Sequence, residues 1–418
     1  MRRPSKTPRK FSADSHRLTE LAQALVLASS RMEQRAWEHD IDTHLNKLLK
    51  SHHQEPIDSA LEQLFPDQAD AYDALMDAVE ACSESSVIEQ NGIRYDTLLI
   101  AIPILAWTRF SIASGNVPPD MVVTLTGHLH AHILAPGVLV ALMPTLYAID
   151  QLPRSHADTY TLMQRMTQAA LTGVVVTNPP NAPETAPFLA DTRYLLATLV
   201  VPTGHAFFCW QPGASSVTSI GTSGTATKKA VALEHWQAQV TPSISRLLPG
   251  CGIDLLLPEA YFVACREGDK QIRPVSLRAA SYYLATTLEI ESKDLHVTIG
   301  RFSEEPESDR VDEYRIGFSI GQTSEIIYGV VWPLYGQEEA IEETADATAM
   351  DSETQTPLEQ ILSLLRECGI NDIQRHDELF AMEFCDDCGS PFYADPEGEL
   401  VHPEMPEDAP PSGSAHFH

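Results

Sequence analysis

The sequence predicts an α/β to α+β fold. An N-terminal helical layer leads into two duplicated strand-helix-strand units, then a fainter third copy and a small segment with the pattern of a zinc knuckle. Three observations carry this reading. Residues 12–86 place apolar side chains at helical spacing. One local pattern then occurs twice. Arg94-Tyr95, seven residues and Pro103 are followed by Ala135-Pro136-Gly137, an apolar run, Pro144 and Tyr147; Arg193-Tyr194, seven residues and Pro202 are followed by Leu248-Pro249-Gly250, an apolar run, Pro258 and Tyr261. An insertion in the Gly/Ser/Thr-rich stretch Gly213–Gly224 accounts for the different anchor spacing, so the pattern reads as a repeated unit. The third observation is Cys385-Asp386-Asp387-Cys388-Gly389, two cysteines at metal-ligand spacing followed by glycine.

Residues 1–11 are a basic arm, expected to be disordered. In residues 12–86, Leu18, Leu21, Ala22, Leu25 and Ala28 share one helical face, and Trp37, Ile41, Leu45 and Leu48 mark a second helix. Pro56 suits the first turn of a third, with Ile57, Leu61 and Leu64 apolar; Asp67 is placed to cap a fourth, which buries Tyr72, Leu75, Met76 and Val79. Residues 87–190 hold the first repeat. Tyr95–Ala106 reads as a strand buried on both faces. Residues 115–120 read as a turn, Asp120–Leu134 as a helix stopped by Pro136-Gly137, and Val138–Met143 as a second strand. Asp158 is expected to cap a helix to Leu171, and Asn178–Pro187 is a proline-rich loop.

Residues 191–310 hold the second repeat. Tyr194–Val201 and Ala206–Trp210 read as a strand pair, Thr227–Leu248 as a helix interrupted at Pro242, and Ile253–Leu257 as a strand. A helix over Val275–Thr286 and a strand over Leu295–Phe302 follow. The third copy, residues 311–384, consists of a hairpin (Tyr314–Gly321, Glu325–Trp332), a disordered acidic loop over 337–355, a helix over Pro357–Cys368 and a strand over Leu379–Phe384. Residues 385–418 carry the cysteine knuckle and an acidic tail.

Composition narrows the function classes. The chain has 418 residues, 28 Lys+Arg against 58 Asp+Glu, and a net charge of -30, which repels nucleic acid and anionic membranes over most of its surface. Arg2, Arg3, Lys6, Arg9 and Lys10 are the exception: they give either an arm that folds back on the acidic body or a nucleic-acid contact. No secretory signal or membrane span is visible, and seven cysteines do not form a disulfide framework, so the expected location is cytoplasmic.

The knuckle is the strongest chemical signal. Zinc takes thiolate and imidazole ligands in a tetrahedron, so Cys385 and Cys388 need further donors; His402, His416 and His418 are the downstream candidates. Competing readings are a redox dithiol and a ligand-free cysteine pair; Asp386 and Asp387 are expected to raise the thiol pKa, which weighs against the dithiol. His128, His130 and His132 form an HxHxH motif like the first ligands of amidohydrolase barrels. Their counterparts in the second repeat are Thr241, Ser243 and Ser245, so they read as helix histidines, with His128 and His132 on one face. Gly221–Lys229 lacks the Walker spacing and reads as a flexible loop, and Cys209, Cys251 and Cys265 read as core.

The opening Met1–Arg9, the Cys385–Gly389 knuckle with Tyr393–Glu399, and the ending His416-Phe417-His418 together resemble an uncharacterised proteobacterial family, domain of unknown function DUF2863. The resemblance implies a bacterial protein and brings no functional residues with it. The expected function is a non-enzymatic cytoplasmic binding or interaction protein, with a structural zinc site and a protein partner. The alternatives are a metal-dependent hydrolase using His128, His130 and His132 with Asp254, and a regulator that touches nucleic acid through the basic arm.

Overall fold

Serine caps and apolar stripes set the first layer. The computed structural model describes residues 12–65, 68–176, 188–212, 224–304, 310–321, 323, 325–335 and 355–405. Helices α1 (Ala13–Val26), α2 (Arg31–Lys50), α3 (Glu55–Leu64) and α4 (Ala69–Glu84) open it. Ser12 and Ser30 accept from the amides of Ser15 and Glu33, and Pro56 occupies the first turn of α3. Leu18, Leu21, Ile41, Leu45, Leu48, Ile57, Leu64, Leu75 and Val79 are buried where these helices meet. The cap expected at Asp67 lies outside the described residues, as do the basic arm, Asn178–Pro187, most of the Gly213–Gly224 stretch, the acidic stretch up to residue 354, His416 and His418.

A strand that the sequence reading missed, β1 (Ser85–Gln90), follows α4 directly and turns into β2 (Ile93–Trp107). Asn91 and Gly92 both have positive φ, 54° and 75°, the geometry of a two-residue hairpin turn. The centre of the first sheet is β2 paired antiparallel with β6 (Ala190–Pro202). The two sequence motifs face each other across this pair: Tyr95 is opposite Pro202, and Pro103 is opposite Tyr194. Along its other edge β2 meets β1, β8 (Glu259–Ala260) and β7 (Gly252–Leu255) in turn. Pro103 lies where that ladder is interrupted between β8 and β7, so its missing N–H is tolerated. The other edge of β6 carries β5 (Thr145–Ala148) and β4 (Leu139–Leu142), and the short β3 (Gly115–Asn116), expected as part of a turn, pairs with β5. Strand β2 is therefore flanked on one edge by β1, β8 and β7, and β6 on its outer edge by β4 and β5.

Strand alternation splits the core into two layers. Leu99, Ala101, Tyr194 and Leu196 face α1–α4 and α6 (His156–Thr172). Ile100, Ile102, Ile104, Leu195, Ala197 and Leu199 face α5 (Pro119–His132) and α7 (Thr225–Leu247). After each of these two helices the chain turns through a left-handed glycine, Gly137 or Gly250. Two local expectations are corrected. The cap of α6 is Ser155, which accepts from the amide of Asp158 at 3.1 Å. Residues 206–210 form no strand: the amides of Phe207 and Phe208 donate to the Gln211 side chain, a local turn that leaves only a single bridge, Phe208 to Leu134.

Helix α8 (Tyr261–Thr287) starts well before the expected Val275 and runs through Pro274. Tyr261 and Ala264 pack in the first core, while Leu277, Ala280 and Leu284 pack in a second. That second core covers a sheet of order β11-β10-β9-β12, namely β9 (Leu295–Ser303), β10 (Glu313–Ile320), β11 (Tyr328–Pro333) and β12 (Asp372–Ala381), with α9 (Pro357–Glu367) between β11 and β12. Strand β9 pairs with both β10 and β12, so the boundary expected at residue 310 cuts through this sheet. A last hairpin, β13 (Tyr393–Ala394) and β14 (Leu400–Val401), packs on it. The fold is mixed α/β, with nine α-helices among the described residues. No helix among the described residues is long and apolar enough to cross a membrane.

Candidate metal centre

The knuckle closes on itself through backbone hydrogen bonds. After β12, the Cys385 amide donates to the Ser390 carbonyl and the Gly389 amide to the Cys385 carbonyl, both at 2.8 Å. Gly389 turns the chain at φ 76°, a conformation that costs little only without a Cβ. The amides of Cys388 and Asp387 then hydrogen-bond the Cys385 sulfur and hold its pKa below the ordinary thiol value, against burial and the Asp387 charge. This corrects the expectation of a raised thiol: Asp387 acts in that direction, but the hydrogen bonds to the sulfur outweigh its charge.

The β13–β14 hairpin returns His402 to the knuckle. Asp395, buried, accepts the amides of Glu397 and Glu399, both at 2.9 Å, and so closes the hairpin turn. His402 Nε2 lies 3.1 Å from Cys388 Sγ. One ligand atom from each of Cys385, Cys388 and His402 falls within 4.8 Å of the others, and among the described residues no other three His, Cys, Asp or Glu side chains do this. On the far side of the ring, His402 Nδ1 is 3.7 Å from Glu404 Oε1. Two thiols and an imidazole, with a carboxylate behind the imidazole, are the donor set that zinc favours. His416 and His418, the other expected donors, lie outside the described residues.

The second sheet holds this assembly from below. Arg315 is fully buried between the rings of Phe302 and Phe384, 4.3 and 4.9 Å from their centroids. Its guanidinium donates to the carbonyls of Glu383 at 2.8 Å and Phe392 at 2.7 Å, one on each side of the knuckle, and to Glu313 Oε1 at 2.6 Å. Thr298 donates to the Ala394 carbonyl at 2.7 Å, and the Tyr393 ring lies directly over Gly329. Sequence reading missed this seat. Its one available signal was Glu313-Tyr314-Arg315, an acid and a base on the same face of an otherwise apolar strand.

The other candidates are dispersed. Helix α5 places His128 and His132 on one face, their rings stacked at 5.8 Å between centroids, while His130 is exposed on another. Asp254, on β7, accepts a hydrogen bond from Gln237. Cys209, Cys251 and Cys265 line the cores, and burial pushes their thiols up. Lys229, next to the Gly-rich stretch, pairs with Glu259 and lies over the Trp210 ring.

No curated protein and no solved structure matches the chain. A family model, described as protein of unknown function (DUF2863), matches residues 3–417. The chain, over essentially its whole length, belongs to that family.

Proposed function

We propose that this protein is a non-enzymatic binding or interaction protein whose C-terminal knuckle holds zinc. The observation that carries the reading is the convergence of Cys385, Cys388 and His402 within 4.8 Å. A zinc ion there would fix the knuckle to the hairpin and leave a fourth position. A donor from the C-terminal tail, His416 or His418, or from a protein partner would complete the tetrahedron. The exposure of Cys388 favours an interface role. Seven cysteines, all free, fit a reducing compartment such as the cytoplasm. The reciprocal pairing of the two Arg-Tyr/Pro motifs supports an internal duplication as the origin of the first sheet.

The hydrolase alternative is less favoured, because its histidines sit on a helix rather than at converging strand ends. The test is elemental analysis of untagged protein purified without chelator, for wild type and Cys385→Ser. About one zinc per chain in wild type, lost in the variant, is the expected result. Metal-free wild-type protein that also fails to take up added zinc would refute the centre.

A further inference from the structure

Strand β1 is an open edge of the first sheet. It pairs with β2 on one side, and among the described residues no strand pairs with its other side. Proteins usually guard such an edge with charge, proline, a bulge or a cover, because its free N–H and C=O groups can pair with any added strand. β1 has one charged residue, Glu89, no proline, and a continuous register with β2. An open cleft of about 1050 Å³ runs along the start of this edge and is lined from both faces of the sheet. Ser86 and Thr97, opposite each other in the register, share the face on which α2 lies, and Thr97 reaches Met163 of the first core there. Val87 and Leu98 point to the other face, where Phe207 stands. A cleft lined from both faces follows the strand's edge rather than either surface, so a strand laid beside β1 would present side chains to both.

The wall on the α2 side is basic. Lys47 and Lys50 line it, and neither forms an ion pair among the described residues. They are not needed to cap α2, because the carbonyls of Lys47, Leu48 and Leu49 already accept from the amides of Ser51, His53 and His52. The two acids that line the cleft have donors of their own. Asp42 accepts from the Cys82 thiol at 3.5 Å, and Asp96, on the other face, accepts from the Thr203 hydroxyl and the Gly204 amide, both at 2.9 Å. In a chain with 58 Asp+Glu against 28 Lys+Arg, two unpaired lysines beside an open strand edge select for an acidic occupant.

We propose that the open edge of β1 binds an extended acidic peptide of a partner protein as an added strand. Backbone hydrogen bonds to β1 supply affinity, and alternate side chains supply specificity. Acidic side chains on one face of the peptide meet Lys47 and Lys50; apolar side chains on the other meet Val87, Leu98 and Phe207. A second copy of the chain is a poor occupant, because each copy carries a net charge of -30. The site shares no residue with the cysteine knuckle and stands whether or not the knuckle holds zinc.

Calorimetric titration of the full-length protein, at low salt, with a short end-blocked peptide alternating glutamate and valine tests this. The expected result is binding at about one site per chain, with hydrogen-exchange protection of the β1 amides and none over residues 385–402. Lys47→Gln with Lys50→Gln should weaken binding about tenfold, the size of two surface ion pairs. Lys293→Gln, outside the cleft, should leave it unchanged. Methylating the alternate peptide amides that face β1 should abolish binding, and methylating the other set should not. No binding, no protection of β1, equal affinity for wild type and the lysine double variant, or equal binding of the two methylated peptides overturns the proposal. So does binding that appears only after residues 337–354 are deleted, which assigns the edge to the chain's own acidic stretch, or a dimer that the peptide dissociates, which assigns it to a second copy.

Discussion

Replacing Arg315 by Met is the sharpest test of how the cysteine knuckle is seated. Methionine keeps apolar bulk between Phe302 and Phe384 but removes the donors to Glu383, Phe392 and Glu313. A net hydrogen bond from a charged donor contributes about 1.5–3 kcal/mol, and removing one partner of a buried ion pair costs about 3–5 kcal/mol. These contributions overlap, so the expected loss is about 3–5 kcal/mol rather than their sum. Burial already pushes the Glu313 carboxyl above its ordinary range, against the hydrogen bond and charge of Arg315. Without Arg315 that carboxyl takes up a proton, which limits the damage. The double variant Glu313→Gln, Arg315→Met should therefore lose less than the single one. Hydrogen exchange over residues 383–402 reads the local opening free energy, and protection there should fall by about two to four orders of magnitude in the single variant. A fall of less than about tenfold, or a double variant as poorly protected as the single, would show that Arg315 does not hold the knuckle.

Two further outcomes follow from the packing. Gly329→Ala would drive a Cβ into the Tyr393 ring, so it should unseat the β13–β14 hairpin and lower zinc retention, whereas Gly321→Ala, which meets no neighbour but sits at positive φ, should cost only local strain; equal zinc loss in both would contradict the seat. Glu84, at the end of α4, accepts the Phe262 amide at the start of α8, and burial pushes its carboxyl up to about 7 from 4.5. The folded state thus holds this proton more tightly than the unfolded chain, so stability falls as pH rises from about 4.5 to about 7 and stays lower above that. Glu84→Gln should remove this loss, stabilising the protein at pH 8 by up to about 3 kcal/mol with no gain at pH 4; urea unfolding of the variant with an unchanged pH slope would refute the assignment.

The elements visible in the sequence were those whose own residues decide their state. The first four helices have apolar stripes, and β2 and β6 are apolar runs long enough to announce strands buried on both faces. The elements that were missed depend on distant partners. Strand β1 has no apolar alternation and exists because β2 offers it an edge. The first half of α8 carries Arg266, Glu267, Asp269 and Lys270 ahead of Pro274, and reads as a loop until Glu84 caps its first turn and Glu80 pairs with Arg266. At the candidate metal centre, the grouping of Cys385, Cys388 and His402 was legible because spacing alone links Cys385 to Cys388, and a short hairpin brings His402 back. The seat was not, because a charged residue in a strand shows its role only once the loop that it binds has arrived.

Arg193 repeats the device. It follows Asp191 by two residues on β6, pairs with it, and donates to the carbonyls of Ile112 at 2.8 Å and Ala113 at 2.9 Å in the loop after β2. Arg315 follows Glu313 by two residues on β10 and holds two carbonyls of the knuckle. In both places an irregular segment packs against a sheet face, and its carbonyls need donors that no strand supplies. A planar guanidinium reaches two of them at once, and the acid on the same strand face neutralises it; lysine, a point charge, cannot span both. The two clamps differ in what they hold. The Arg193 clamp anchors a connection within the first sheet, whereas the Arg315 clamp anchors the knuckle. Metal at Cys385, Cys388 and His402 would therefore be linked through Arg315 to the second sheet, and zinc binding should protect amides in β9 and β10 as well as those of the knuckle itself.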